Sequence, residues 1–218
     1  MSSPPDTRPS SSSAVRHPAR RLLAVVLVCC VVLFTWYYLR GTWATTSPVY
    51  PSSPDEGVKS VIVLNDQGSR EIQTAVLLPV PVETAWSILS NYAEWERLFP
   101  TIRRLGSETK VLDKDRHHVV SDVMTPLGIL KLDFIVTHEK TSDGGFIASW
   151  NAPTAELPVN EGAIRVTPRG PQLTLLVYTV HKQYREYPQF MVYNKLLGHQ
   201  TDLVGTLSTR ILEAAGER

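Results

Sequence analysis

The chain has 218 residues, 43% of them hydrophobic, 20% charged and 8% aromatic, a globular composition with room for one domain of ordinary size. Its two cysteines, Cys29 and Cys30, stand side by side in an apolar run, which excludes a disulfide-stapled scaffold and a cysteine-rich zinc module. A formal net charge of +1 excludes a globally basic nucleic-acid binder, so no nucleic-acid partner is expected.

The charge is unevenly spread. Residues 1–21 carry Arg8, Arg16, Arg20 and Arg21 against Asp6 alone, whereas residues 41–218 carry 17 Lys or Arg against 20 Asp or Glu. Residues 1–21 are rich in Ser and Pro without an apolar period and read as a disordered basic tail. Residues 22–39, LLAVVLVCCVVLFTWYYL, hold no charge, no Pro and no Gly. As a helix they span about 27 Å, close to the hydrocarbon thickness of a bilayer. Trp36, Tyr37 and Tyr38 cluster at one end like an interfacial belt, and Arg20, Arg21 and Arg40 bracket the run. A cleaved signal peptide shares the basic start, with Thr42-Trp43-Ala44 as a marginal cleavage site. The length of the run, its bulky aromatics and Arg40 favour a retained transmembrane helix. The positive-inside rule then puts the N-terminus in the cytoplasm and the following domain on the other side of the membrane.

Residues 40–56 hold three prolines and many Ser or Thr and read as a stiff, extended linker. From residue 57 to 218 the composition is that of a folded domain. Residues 58–64 and 70–80 are β-rich runs separated by Asn65-Asp66-Gln67-Gly68, a hairpin pattern. Residues 82–89 read as a short helix with Ala85, Ile88 and Leu89 on one face, and residues 92–98 as a second one capped by Asn91. Strand-like runs follow at 102–112, 117–124, 129–138, 146–151, 163–167 and 173–184, with Pro168-Arg169-Gly170-Pro171 as the last turn. After Pro188 a long helix is expected to about residue 214, its stripe formed by Phe190, Tyr193, Leu197, Val204, Leu207 and Ile211. A single amphipathic helix cannot bury its own stripe, so the sheet must curl around it. This predicts an α+β helix-grip, a curved antiparallel sheet around the C-terminal helix, preceded by one transmembrane helix.

The stretch Val80-Pro81-Val82-Glu83-Thr84-Ala85-Trp86-Ser87-Ile88-Leu89-Ser90-Asn91-Tyr92-Ala93-Glu94-Trp95 resembles the opening of START-like domains. These belong to the superfamily of polyketide cyclases, coenzyme-Q-binding proteins and lipid-transfer domains. Asn91 replaces the family's usual acidic residue and Ala85 its usual Val. Residues 57–59 and 158–165 are also similar to START domains, and the likeness spans about residues 57–215. It implies a helix-grip with a hydrophobic cavity, and says little about activity, because the superfamily holds carriers, hydrolases, cyclases and regulators.

The residues themselves give no positive sign of catalysis. The sequence has no H-E-x-x-H, no nucleophile elbow and no glycine-rich phosphate loop. His117 and His118 are adjacent in a strand and point to opposite faces, so they do not share a metal easily. No catalytic residue, metal or cofactor is expected. Asp122, Asp133 and Arg165 are polar residues amid apolar strand neighbours. Each reads either as a solvent-facing sheet residue or, for Arg165, as an interior cation paired with a carboxylate or ligand head group. In a helix-grip some core is also cavity wall. Trp95, Asp122, Phe134, Trp150, Arg165, Tyr178, Tyr193 and Leu197 are therefore the expected ligand-binding set. Arg103 and Arg104 read as an exposed solubilising pair or as contacts to anionic lipid heads.

The expected function is a membrane-anchored domain that binds a hydrophobic small molecule or lipid, with the bilayer as its partner through residues 22–39. The alternatives are a cyclase- or hydrolase-like enzyme, for which Asp122, Asp133, His138 and His181 are the titratable candidates, and a ligand-free interaction module.

Overall fold

A computed structural model describes residues 18–92, 108–125 and 128–216. The chain divides into two units, Met1–Tyr37 and Tyr38–Arg218. The first holds most of helix α1, Pro18–Thr42. The stretch Leu22–Thr42 is long and apolar enough to cross a membrane, and its side chains are almost all exposed.

The second unit is built on one antiparallel sheet. Its strands are β1 (Lys59–Leu64), β2 (Arg70–Leu78), β3 (Glu108–Val111), β4 (Arg116–Thr125), β5 (Gly128–Lys140), β6 (Phe146–Asn151), β7 (Val159–Gly170) and β8 (Leu173–Gln183). They lie in the order β1-β2-β8-β7-β6-β5-β4-β3, so one long connection inserts β8 between β2 and β7. Helix α2 (Val82–Leu89) and the C-terminal helix α3 (Gln189–Ala215) complete the fold. The hairpin turn is set by Asn65, whose Oδ1 accepts the Gln67 and Ser69 amides, while Gly68 takes a left-handed φ of 74°.

Period-two alternation gives each strand an inner face. Ile72, Val76 and Leu78 of β2, Ile164 and Val166 of β7, and Leu176 and Val180 of β8 turn inward, where Val204, Leu207 and Ile211 or Val192, Tyr193 and Leu196 of α3 meet them. The buried stripe of α3 is Val192, Tyr193, Leu196, Gln200, Val204, Leu207 and Ile211; Leu197 and Phe190, expected on it, are only half-buried at its flank. A partly buried polar chain joins the helix to the sheet: Thr201 donates to Ser60, Ser60 to Thr74, and Thr74 to Gln200 Oε1, at 2.8, 3.0 and 3.4 Å. The helix ends at Gly216, whose φ of 78° is a left-handed cap. These elements are the helix-grip expected from the sequence.

Two segments differ from expectation. β7 begins four residues early, at Val159, and runs through Pro168 to Gly170. The register shifts between Pro168 and Gly170, an irregularity of the kind that tolerates a proline lacking its N–H. β3 is described over Glu108–Val111; the earlier part of the expected run 102–112, and the expected helix 92–98 apart from Tyr92, lie outside the described residues.

Residues 40–56 are the second difference. Thr45 bridges in parallel to Val63 at the edge of β1, only three residues beyond the end of α1. Pro51 is buried, and the 3-10 turn Pro54–Glu56 packs on β2. The proline-rich composition denies this segment regular structure, but an extended chain docks readily on an open sheet edge. The last turn of α1 also belongs to this unit: the rings of Tyr38 and Phe190 lie 5.1 Å apart, and Gly41 is buried against α3. A Cβ at Gly41 would lie 2.1 Å from the Phe190 carbonyl oxygen and 2.5 Å from Asn194 Nδ2. Gly41→Val is therefore expected to pry the first turn of α3 off, read as faster amide exchange around residues 190–194 with the sheet unaffected.

Candidate functional site

The two helices cover the inner face of the sheet unequally. α3 packs mainly on β1, β2 and β8, and α2 on β7 and β8. Over β4, β5 and β6 the inner face carries Val119, Phe134, Val136, Ala148 and Trp150, and among the described residues Trp86 and Tyr92 lie against it. Trp86 stacks on Phe146 with ring centroids 5.1 Å apart and 7° between planes. Phe134 and Trp150 are 6.2 Å apart, and Trp150 and Tyr178 5.9 Å. Trp86, Phe146, Trp150 and Tyr178 stay only half-buried although they face inward, so an aromatic wall between sheet and helices keeps accessible surface.

One glycine makes the bed for this wall. Gly162 stands opposite Trp150 in the β6–β7 register. A Cβ there would lie 2.5 Å from Trp150 Cζ2 and 2.6 Å from the Thr179 carbonyl oxygen. The missing side chain is the space in which the indole lies.

Beside the wall sits a histidine–phenol cluster. His138 belongs to the inner row with Phe134 and Val136, and its amide donates to the Asp115 carbonyl at 2.7 Å. Its ring lies 4.8 Å from Trp86 and 4.5 Å from His117. Its Nε2 shares a short hydrogen bond with the Tyr92 hydroxyl. Burial, and secondarily the adjacent His117, lower the His138 pKa to about 4 against the pull of Asp115, while burial raises that of Tyr92. At neutral pH the imidazole is uncharged and accepts a hydrogen bond from the phenol. The folded state protonates His138 less readily than the unfolded chain does, where a histidine titrates near 6.5. Stability should thus be complete above about pH 6.5 and decline as pH falls toward 4, by about 1–2 kcal/mol given the ring's partial exposure. Unfolding midpoints measured between pH 7 and 4 check this, and His138→Phe should remove most of the slope.

At the other end of the inner row of β8, beyond Leu176, Tyr178 and Val180, comes Lys182. It pairs across the strands with Asn160 of β7, which is 1% exposed. Asn160 Nδ2 donates to the Ala152 carbonyl at 3.1 Å, whereas its buried Oδ1 has no partner among the described residues. Burial depresses the Lys182 pKa to about 8. His199, on the flank of α3, is lowered by burial and then by the Lys182 ammonium, with Asp202 opposing.

No protein-family model matches the chain, and no curated protein does. Solved structures do match. The STAR-related lipid transfer protein of Xanthomonas axonopodis (fragment 25-204) aligns with a TM-score of 0.59 at 18% identity, over 72% of this chain and 94% of that one. Human StAR-related lipid transfer protein 5 aligns at 0.62 and 13% identity, over 88% and 98%. The Zhui aromatase/cyclase of Streptomyces sp. R1128 aligns at 0.54 and 14%, over 67% and 93%. The fold is the START helix-grip.

In this START fold the expected ligand-binding residues fall into three groups. Phe134, Trp150 and Tyr178 share the inner face, with Leu197 half-buried beside the cluster of Ile62, Ile72 and Leu196. Tyr193 is inward too but 3% exposed, its hydroxyl donating to the Arg70 carbonyl at 2.5 Å, which makes it a wall element closed on itself. Arg165 is a correction. It lies on the outer face, exposed, and its Nη2 donates to Asp143 Oδ2 at 2.9 Å. Alternation with the inward Ile164 and Val166 sends it out, and solvent spares it the cost of burial. Trp95 lies outside the described residues. Asp122 pairs with Lys131 in the β4–β5 register, and its side chain lies outside them.

The titratable candidates separate likewise. Asp133 is exposed and binds His118 Nε2 at 2.6 Å, and His181 binds Glu161 Oε1 at 2.9 Å through Nδ1. Of the described ones, His138 alone faces the aromatic wall. Sequence reading missed Trp86, Phe146, Tyr92, His117, Lys182, Asn160 and His199. The signal was present for some: His117 keeps the parity of Val119, and Lys182 that of Tyr178.

Proposed function

We propose that this chain is a single-pass membrane protein whose START-like domain holds a hydrophobic small molecule or lipid between the sheet and helices α2 and α3. The observation that carries this reading is the half-buried inner wall of Trp86, Phe146, Trp150 and Tyr178, apolar surface left accessible inside the fold. The names of two fold neighbours, both lipid-transfer proteins, support it. Phe134, Trp150, Tyr178 and Leu197 line the ligand, and α1 is the anchor. Binding draws on apolar burial at about 25 cal/mol per Å², less the cost of ordering. The tether keeps the domain at the bilayer surface, so a poorly soluble ligand need not cross bulk water.

The arginines before α1 and the aromatics at its end orient the anchor with the N-terminus in the cytoplasm and the START-like domain outside it. Brominated fatty acid added to the detergent-solubilised chain should quench tryptophan fluorescence, and Trp150→Phe should remove a large part of the quenching. Equal quenching in both would place the ligand elsewhere. Carbonate-resistant membrane association together with protease accessibility of the domain only from the outer side tests the anchor.

A second reading, a cyclase- or hydrolase-like enzyme on a hydrophobic substrate, is favoured by the Tyr92–His138 pair facing the wall. It predicts that Tyr92→Phe and His138→Asn stop turnover while the substrate stays bound. A carrier releases its ligand chemically unchanged in wild type and variants alike.

A further inference from the structure

Lys182 is unlike the other inward residues of its strand. Leu176, Tyr178 and Val180 precede it on the same face and contribute to the apolar interior. Its ammonium forms no hydrogen bond or ion pair among the described residues, and the residue is half-buried. Its cross-strand partner Asn160, almost fully buried, holds an unused acceptor in Oδ1. His199 approaches from α3 closely enough to feel the Lys182 charge. An ammonium in a low-dielectric setting without a counter-ion is costly, and an anionic oxygen is the group that offsets that cost. The distance along the strand from Tyr178 to Lys182 is about 13 Å, the length of a medium acyl segment.

We propose that Lys182, Asn160 and His199 form a head-group subsite at the polar end of the ligand cavity, and that the ligand is an acidic amphiphile. Its carboxylate or phosphate oxygen pairs with the Lys182 ammonium, its apolar chain runs toward the half-buried rings of Tyr178 and Trp150, and Asn160 Oδ1 accepts from a head-group hydroxyl where one is present. This inference deepens the hydrophobic-ligand reading and rests on it.

The test uses the full chain in a neutral maltoside detergent, with ligand retention read by native mass spectrometry. The probes are oleate, 1-oleoyl lysophosphatidate and the uncharged oleyl alcohol. Wild type should retain at least one acidic probe roughly tenfold better than the alcohol, as a charge-assisted pair requires. Preference for lysophosphatidate alone identifies a phosphate head with a hydroxyl, and equal retention of both acids identifies the anionic oxygen alone. Lys182→Met should bring the acids to the level of the alcohol without changing the alcohol's own retention, and Lys182→Arg should keep the preference. The comparison of acid with alcohol in wild type stands even if a variant fails to fold. Equal retention of acid and alcohol by wild type overturns the subsite and leaves the hydrophobic-ligand reading intact. Retention of none of the three overturns both.

Discussion

Gly162→Val should destabilise the domain more than any other single substitution considered for it, by about 3 kcal/mol or more. The new Cβ has no open direction: it meets the Trp150 indole at 2.5 Å and the Thr179 carbonyl oxygen of the neighbouring strand at 2.6 Å. One of these contacts is with a side chain and the other with backbone. Trp150→Ala in the same chain should therefore recover part of the loss and leave the part owed to the Thr179 carbonyl. The cycle of wild type, two single variants and the double variant, followed by urea unfolding, measures that coupling directly. A neutral Gly162→Val would mean that the indole does not lie over Gly162, and the aromatic wall would lose its floor.

Lys182→Met should do the opposite and stabilise the protein at pH 7. Burial lowers the Lys182 pKa to about 8 from an unfolded value near 10.5. Below pH 8 the amine is charged in both states, and the folded state carries the whole desolvation cost. Between about 8 and 10.5 the unfolded chain holds the proton that the folded protein has lost, so wild-type stability rises with pH across that window. A methionine of similar reach carries no such cost. Its advantage should be about 1–3 kcal/mol at pH 7 and should shrink steadily as pH passes from 8 to 10.5. Thermal unfolding of both proteins across this range tests it. A residue retained at a cost to stability is one that something else requires, here the proposed head group. Destabilisation by Lys182→Met would instead give the lysine a structural partner and remove the basis of the subsite.

The elements of this fold were legible in the sequence because each obeys one local rule. The hairpin turn is written in Asn65 and Gly68, the start of α3 in Pro188, and the inner faces in strand alternation. What local rules could not show is which part of an inner face the helices leave open. That depends on α3 lying over β1, β2 and β8, and on β8 returning between β2 and β7, a pairing set by contacts distant in sequence. Phe134, Trp150 and Tyr178 were legible as aromatic core, because in a helix-grip some core is also cavity wall. Arg165 was misplaced by weighing its chemistry above its parity, since Ile164 and Val166 on either side already claimed the interior. The union of Tyr92 with His138 spans 46 residues, and no spacing rule predicts it. The docking of residues 40–56 was hidden for another reason: a Pro- and Ser-rich composition reports the absence of regular structure, not the absence of packing.

Whether the domain carries a hydrophobic molecule is read most simply from what it brings with it on purification. The full chain, purified in mild detergent, is extracted with organic solvent and the extract identified by mass spectrometry, alongside the native mass of the intact protein. A carrier brings a hydrophobic ligand in near-stoichiometric amount, chemically unchanged and reduced by Trp150→Ala. A clean apo mass that takes up nothing from a mixed lipid extract would contradict it.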